Sequence, residues 1–224
     1  MCSNFEPIKL SQSSWAKEKL GCELPQVEWK PHVFSYYLAP FVFFEDGVVR
    51  CELGHFGLIP PWTDPEERAA LAQKTYNART ETVEIRKSYK APWKRRKFGL
   101  VLADCFYEPL YDRSGKQSKP TAISRSDGEP TAIASIWESF TDQVTGEIIR
   151  SFSMLTVNAD THPFMSHFHK PDDEKRSVVV VENANLHHWL NATHEEARDI
   201  LKLSPDGYLD ADLSEPNSNQ LSIF

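Results

Sequence analysis

His32-Val-Phe-Ser-Tyr-Tyr-Leu-Ala-Pro-Phe-Val-Phe-Phe-Glu-Asp-Gly-Val-Val-Arg-Cys-Glu-Leu53 is the stretch on which the fold turns. Residues 32–44 are aromatic and β-branched, which favours extended chain, and the run is predicted to break at Pro40, which lacks an N–H. Glu45-Asp46-Gly47 carries the turn chemistry of a tight hairpin, so Val48 to Leu53 reads as the returning strand. Similar short apolar runs follow at 98–106, 121–124, 131–137, 152–157 and 177–181, with turns at Asp112–Gly115 and around Thr145-Gly146. Helical spacing is confined to Leu10–Leu20, Glu66–Lys74, Leu186–Leu190 and Thr193–Leu203, the last opened by a Thr193/Glu196 capping box. Strands and helices do not alternate in a βαβ rhythm. The pattern therefore predicts an α+β chain: one compact domain with a curved, barrel-like, mostly antiparallel β-sheet flanked by helices. We place this domain at residues 1–204 and read 205–224 as a C-terminal extension whose polar last ten residues form a flexible tail.

The chain has 224 residues, 40% hydrophobic and 25% charged, enough to bury a core without staples. Its four cysteines, Cys2, Cys22, Cys51 and Cys105, form no CxxC pair, which excludes a zinc ribbon and argues against a disulfide framework. No leader-like opening and no apolar run near the ~18 residues of a membrane span is present, so a soluble, cytoplasmic protein without metal or cofactor is expected. The net charge of −7 argues against a general nucleic-acid binder, but the charge is unevenly spread. Residues 86–97 contain seven basic side chains and no acidic one, leaving −14 on the rest. Arg86, Lys87, Lys94, Arg95 and Arg96 in this segment can hold phosphates, with Tyr89 and Trp93 interleaved as stacking surfaces. A solvated turn explains the segment equally well.

Four further features bear on chemistry. Cys2, once Met1 is removed, presents a free α-amine beside a thiol, and this 1,2-aminothiol condenses with an aldehyde to an imine and closes to a thiazolidine. In Tyr76-Asn77-Ala78-Arg79-Thr80-Glu81-Thr82, an amide and a guanidinium stand two apart. In Asp104-Cys105-Phe106-Tyr107-Glu108-Pro109, a carboxylate ends an apolar strand and can move protons if turned into a cleft. His162, His167 and His169 cluster, without a third metal ligand at suitable spacing, and one of them is a candidate acid/base.

In order along the chain, Met1-Cys2, Phe56-Gly-Leu-Ile-Pro-Pro-Trp62, Asn77-Ala-Arg-Thr-Glu-Thr82, Phe106-Tyr-Glu108, Ile136-Trp-Glu138, Leu155-Thr-Val-Asn-Ala159 and a histidine before Lys175-Arg176 resemble the SOS response-associated peptidase family, the abasic-site shield proteins. The resemblance covers residues 1 to about 200. It implies loss of Met1, binding of single-stranded DNA at an abasic site, and capture of the ring-opened sugar by Cys2 as a thiazolidine crosslink. It further implies that Asn77 orients the Cys2 amine or the sugar, that Glu108 moves protons, and that His169, in preference to His167, is the second acid/base. Arg79 would hold a phosphate, Trp62 would lie near the bases, and the protein would act as a monomer. The sequence departs from the family at Ser3-Asn4, where Gly-Arg is usual, at Pro109, where Trp is common, and at His169-Lys-Pro-Asp172, where the family motif is loosened. Two other readings stay open: an N-terminal-cysteine peptidase or amidohydrolase acting on peptides, and a non-covalent nucleic-acid-binding module.

Overall fold

Asp46 and Gly47 adopt positive φ angles of 52° and 81°, closing a two-residue turn that sets Glu45 opposite Val48. Such a turn matches the twist of the strands it joins. The computed structural model describes residues 2–214 and 216. In chain order the elements are β1 (Asn4–Pro7), α1 (Ser13–Leu20), β2 (Val33–Phe34), β3 (Leu38–Glu45), β4 (Val48–Phe56), α2 (Arg68–Thr75), β5 (Asn77–Arg79), α3 (Lys90–Lys94), β6 (Phe98–Tyr111), β7 (Ser118–Arg125), β8 (Thr131–Thr141), β9 (Ile148–Asn158), β10 (Arg176–Val178), α4 (Leu186–Asn191), α5 (His194–Ile200) and β11 (Leu209–Asp210).

Five strands close into a ring. β3 pairs antiparallel with β4, β4 parallel with β9, β9 antiparallel with β8, β8 with β6, and β6 returns to β3. The result is one compact α+β domain built on a closed, five-stranded mixed barrel, with a single parallel pairing in the ring. Alternation along the strands sorts their side chains into two cores. Phe41, Phe43, Val101, Ala103, Ile133, Phe152 and Met154 fill the inside. Val42, Leu100, Leu102, Ala134, Ile136 and Leu155 face outward, against Trp15, Leu20, Trp189 and Ile200 of the helices. Burying a large apolar side chain contributes about 1.5–3 kcal/mol, so these two layers dominate stability. Gly54 is small of necessity: a Cβ there would stand 2.6 Å from Cε1 of Phe41.

The predicted break at Pro40 does not occur. Pro40 lies within β3 opposite Leu53, while β6 pairs only with residues 41–43, so no partner on that side requires its missing N–H. The break falls instead at Tyr36, whose φ is 71°. The last helix ends at Ile200 rather than Leu203, and its Thr193 accepts from the backbone N–H of Glu196 as the capping box requires. Within the extension, Leu209–Asp210 pair with Arg125 and Ser124 of β7. The stretch 215–224, read as a tail, lies outside the described residues apart from Pro216. No helix among the described residues is long and apolar enough to cross a membrane.

β6 and β9 outrun the barrel, and this builds the site. β6 leaves β8 after Ala103 and continues beside β1 and β7. β9 extends past β8 to receive β5 and β10. The chain start before β1, the first residue of β5, the far half of β6 and the loop entering β10 thus meet at one end of the barrel.

Candidate active site

Asn77 opens β5 in parallel register with Met154, and its backbone oxygen accepts from the Tyr89 hydroxyl at 2.9 Å. Held in this way, its side-chain Nδ2 donates to the backbone oxygen of Cys2 at 2.7 Å. The Cys2 side chain is fully buried, and its Sγ donates to the Asn4 oxygen at 3.2 Å. Burial pushes the Cys2 thiol far above its ordinary range, and the negative charge of nearby Glu108 pushes it further. At neutral pH the thiol is therefore protonated.

Glu108 is 1% exposed on the strand face shared with Phe106 and Leu110, and its Oε2 lies 2.8 Å from Nε2 of His169. His169 adopts a left-handed backbone, φ 65°, which is costly for a residue with a Cβ and is held from both sides. Its N–H donates to the Pro109 oxygen at 2.8 Å, and its own oxygen accepts from Nζ of Lys175 at 3.3 Å. His167 is exposed, and His162 is buried elsewhere, against the Ser204 oxygen at 3.0 Å. Of the three histidines, His169 is the one beside Glu108. Cys2, Asn77, Glu108 and His169 are thus brought together from four separate parts of the chain.

Two neighbours of this cluster escaped the sequence reading. Tyr76, half-buried and directly before Asn77 in the chain, has its hydroxyl pushed up by burial first and then by Cys2 and Glu108 nearby. Its position directly before Asn77 was the available signal. Lys175 fastens the His169 turn through Nζ to the oxygens of His169 and Lys170, and no local pattern announces that role.

The cationic residues named above differ in their surroundings. Arg79 is half-exposed, with Nη1 on Oε2 of Glu174 at 2.8 Å. Trp62 is 50% exposed, and Lys87 places Nζ 4.0 Å from its ring centroid. These two line a cavity of about 370 Å³ with Pro60, Pro61, Pro92 and Arg95. Arg86, Lys94 and Arg96 are exposed. Arg95 and Lys97 both bind the carboxylate of buried Glu138, so part of this cationic charge serves the fold. The expected stacking by Tyr89 and Trp93 is not possible. Both are buried, Trp93 against Phe98 at 5.3 Å and His194 at 5.5 Å, because their apolar area seats α3 on the barrel. Among the described residues no group of three or more His, Cys, Asp or Glu side chains converges as a metal site.

Abasic site processing protein HMCES of Gallus gallus is 25% identical over 164 residues, covering 66% of this chain and 47% of that protein. The same protein of Xenopus tropicalis is 25% identical over 165 residues, with the same coverage. The chain spans about half the length of these relatives. Among solved structures, a protein of Bordetella bronchiseptica is 32% identical with a TM-score of 0.83, covering 94% of this chain and 98% of that one. A Bacteroides thetaiotaomicron protein shares the fold at 20% identity and a TM-score of 0.78, covering 94% and 90%. The family model for SOS response associated peptidase (SRAP) matches residues 14–214, and the chain belongs to that family.

Proposed function

We propose that this protein processes abasic sites in single-stranded DNA by covalent capture through Cys2, acting as a monomer without metal or cofactor. The observation that carries the reading is the buried cluster in which Asn77 holds the Cys2 carbonyl at 2.7 Å while Glu108 and His169 meet at 2.8 Å. The abasic-site processing for which the HMCES relatives are named supplies the substrate class.

The chemistry follows from the order in which the groups can react. Removal of Met1 by hydrolysis of its peptide bond frees the Cys2 α-amine, whose pKa of about 7.7–8.0 leaves a neutral fraction near pH 7. The amine adds to the aldehyde of the ring-opened sugar. Water leaves, with Glu108 and His169 supplying the proton, and an iminium remains. The Cys2 thiol, raised by burial and by Glu108, is a poor nucleophile until then. The new positive charge on the same residue favours its ionisation. Glu108 accepts the thiol proton, sulfur bonds to the iminium carbon, and the five-membered ring closes with one water lost overall. Asn77 fixes the Cys2 backbone so that amine and thiol meet the same carbon. Arg79, Arg86, Lys87, Lys94, Arg95 and Arg96 hold phosphates, and Trp62 offers a ring to a neighbouring base.

A denaturing gel tests this reading. Processed protein and a single-stranded oligonucleotide with one abasic site should give a heat-stable adduct, and Cys2→Ala should abolish it. A peptidase acting on added peptides would instead turn over substrate and leave no adduct.

A further inference from the structure

Beside β1, the strand that follows Cys2, β2 and β6 contribute to a ladder of rings with no part in the steps above. His32 is sandwiched between Tyr107 and Phe34, centroids 4.9 Å away on both sides and planes within 17° and 10°. The inner end is fixed, because the Tyr107 hydroxyl donates to Glu6 at 2.7 Å. The outer end is open: Phe34 and Tyr37 are each 37% exposed and meet edge to face at 6.0 Å. Nζ of Lys30 lies 3.8 Å from the Tyr37 ring centroid. The left-handed Tyr36 between them stacks on His55 at 4.6 Å, so the loop presenting these rings is braced.

We propose that Phe34 and Tyr37, with Lys30 over one face of the Tyr37 ring, form a stacking shelf for an unpaired nucleobase flanking the abasic nucleotide; this rests on the DNA-capture reading above. Position supports it: Asn4, two residues from Cys2, pairs with Phe34. Alternation along β6 turns Tyr107 away from the face of Glu108, so the shelf receives the neighbouring nucleotide and not the reacting sugar. Its chemistry suits a base, since a part-exposed ring stacks on any base and an adjacent ammonium meets the phosphate. Its size argues against a protein partner, because two part-exposed rings fall far short of the ~800 Å² per partner that a stable protein interface buries.

The test uses oligonucleotides whose abasic position is a non-reactive tetrahydrofuran, so that binding is read without covalent chemistry. One set carries normal bases beside that position, the other baseless spacers. Fluorescence anisotropy at fixed salt should show the double variant F34A/Y37A binding the base-flanked strand roughly 10-fold more weakly than the unaltered protein. The baseless strand should bind both proteins alike, and Tyr37→Trp should keep full affinity. Equal binding of both strands by F34A/Y37A and the unaltered protein would overturn the shelf, as a partner of another kind would produce. So would an equal loss on both strands. Failure of the unaltered protein to form an adduct with a true abasic strand, with this base-dependent difference intact, would sink the capture reading and leave the shelf standing.

Discussion

The carboxylate of Glu108 and the imidazole of His169 lie 2.8 Å apart in a buried setting, and the same carboxylate raises the Cys2 thiol. One group is thus tied to both the His169 ring and the Cys2 thiol. Glu108→Gln removes the charge and keeps the shape. It should lower the Cys2 pKa, read from the pH dependence of its alkylation, and yet slow adduct formation by about 10²- to 10⁴-fold, the usual worth of a positioned proton carrier. A faster reaction in this variant would show that the thiol, and not proton movement, limits the rate.

Asn77 acts by holding the Cys2 backbone, through a hydrogen bond of ordinary strength, about 0.5–1.5 kcal/mol. Asn77→Ala should slow adduct formation about 10-fold with little change in melting temperature. Asn77→Asp, which cannot donate in its ionised form and sets a charge against a carbonyl, should be slower still. Rates measured on protein whose Met1 removal has been checked by mass decide the order.

The exposed cations should announce themselves through salt. Removing one phosphate-binding cation lowers the slope of log affinity against log salt on single-stranded DNA by about 0.7. Arg86→Ala and Lys94→Ala should each flatten the slope by that amount and leave the adduct chemistry at saturating DNA unchanged. Arg95→Ala should also destabilise the fold, because Arg95 faces the buried Glu138.

Asp142 contributes to stability in acid. It accepts from the N–H groups of Val144 and Thr145 at 2.8 and 3.0 Å and pairs with Arg68. The backbone bonds, first that from Thr145, and the Arg68 guanidinium hold its carboxyl down from the usual 3.8 to about 2. A carboxylate held down in the folded state stabilises it above its unfolded pKa, and this contribution fades as pH falls towards the folded value. Thermal melts of Asp142→Asn should therefore lose part of the drop in stability that the native protein shows between about pH 4 and pH 2.

Much of the fold was legible because its signals are local. The Asp46-Gly47 turn, the Thr193 cap and the apolar run of β8 each depend on residues within a few positions. Barrel closure was not legible in the same way, because the pairing of His55 and Phe56 with Ser151 and Phe152 joins segments about a hundred residues apart. Pro40 misled because a strand tolerates proline at a position paired on one side only, as β3 is there, and pairing partners are not written locally. Cys2, Asn77 and Glu108 were picked out by motif order, and His169 was preferred to His167 on its neighbours. What sequence could not show is how His169 is set beside Glu108: Lys175 and the Pro109 oxygen hold it in a left-handed turn. The interleaved Tyr89 and Trp93 misread the basic segment, since spacing alone does not reveal which face of a short helix packs down.

If Cys2 joins DNA through both its amine and its thiol, the adduct must lack Met1, weigh one water less than its parts, and survive heat without reduction. The adduct is formed with a single-stranded oligonucleotide bearing one abasic site. Its expected mass is the chain without Met1 plus the oligonucleotide minus one water. It should be stable to heat, with Cys2→Ala giving only an adduct that needs borohydride to trap its imine. An adduct that retains Met1, or a heat-stable adduct of equal yield from Cys2→Ala, would contradict capture by the aminothiol.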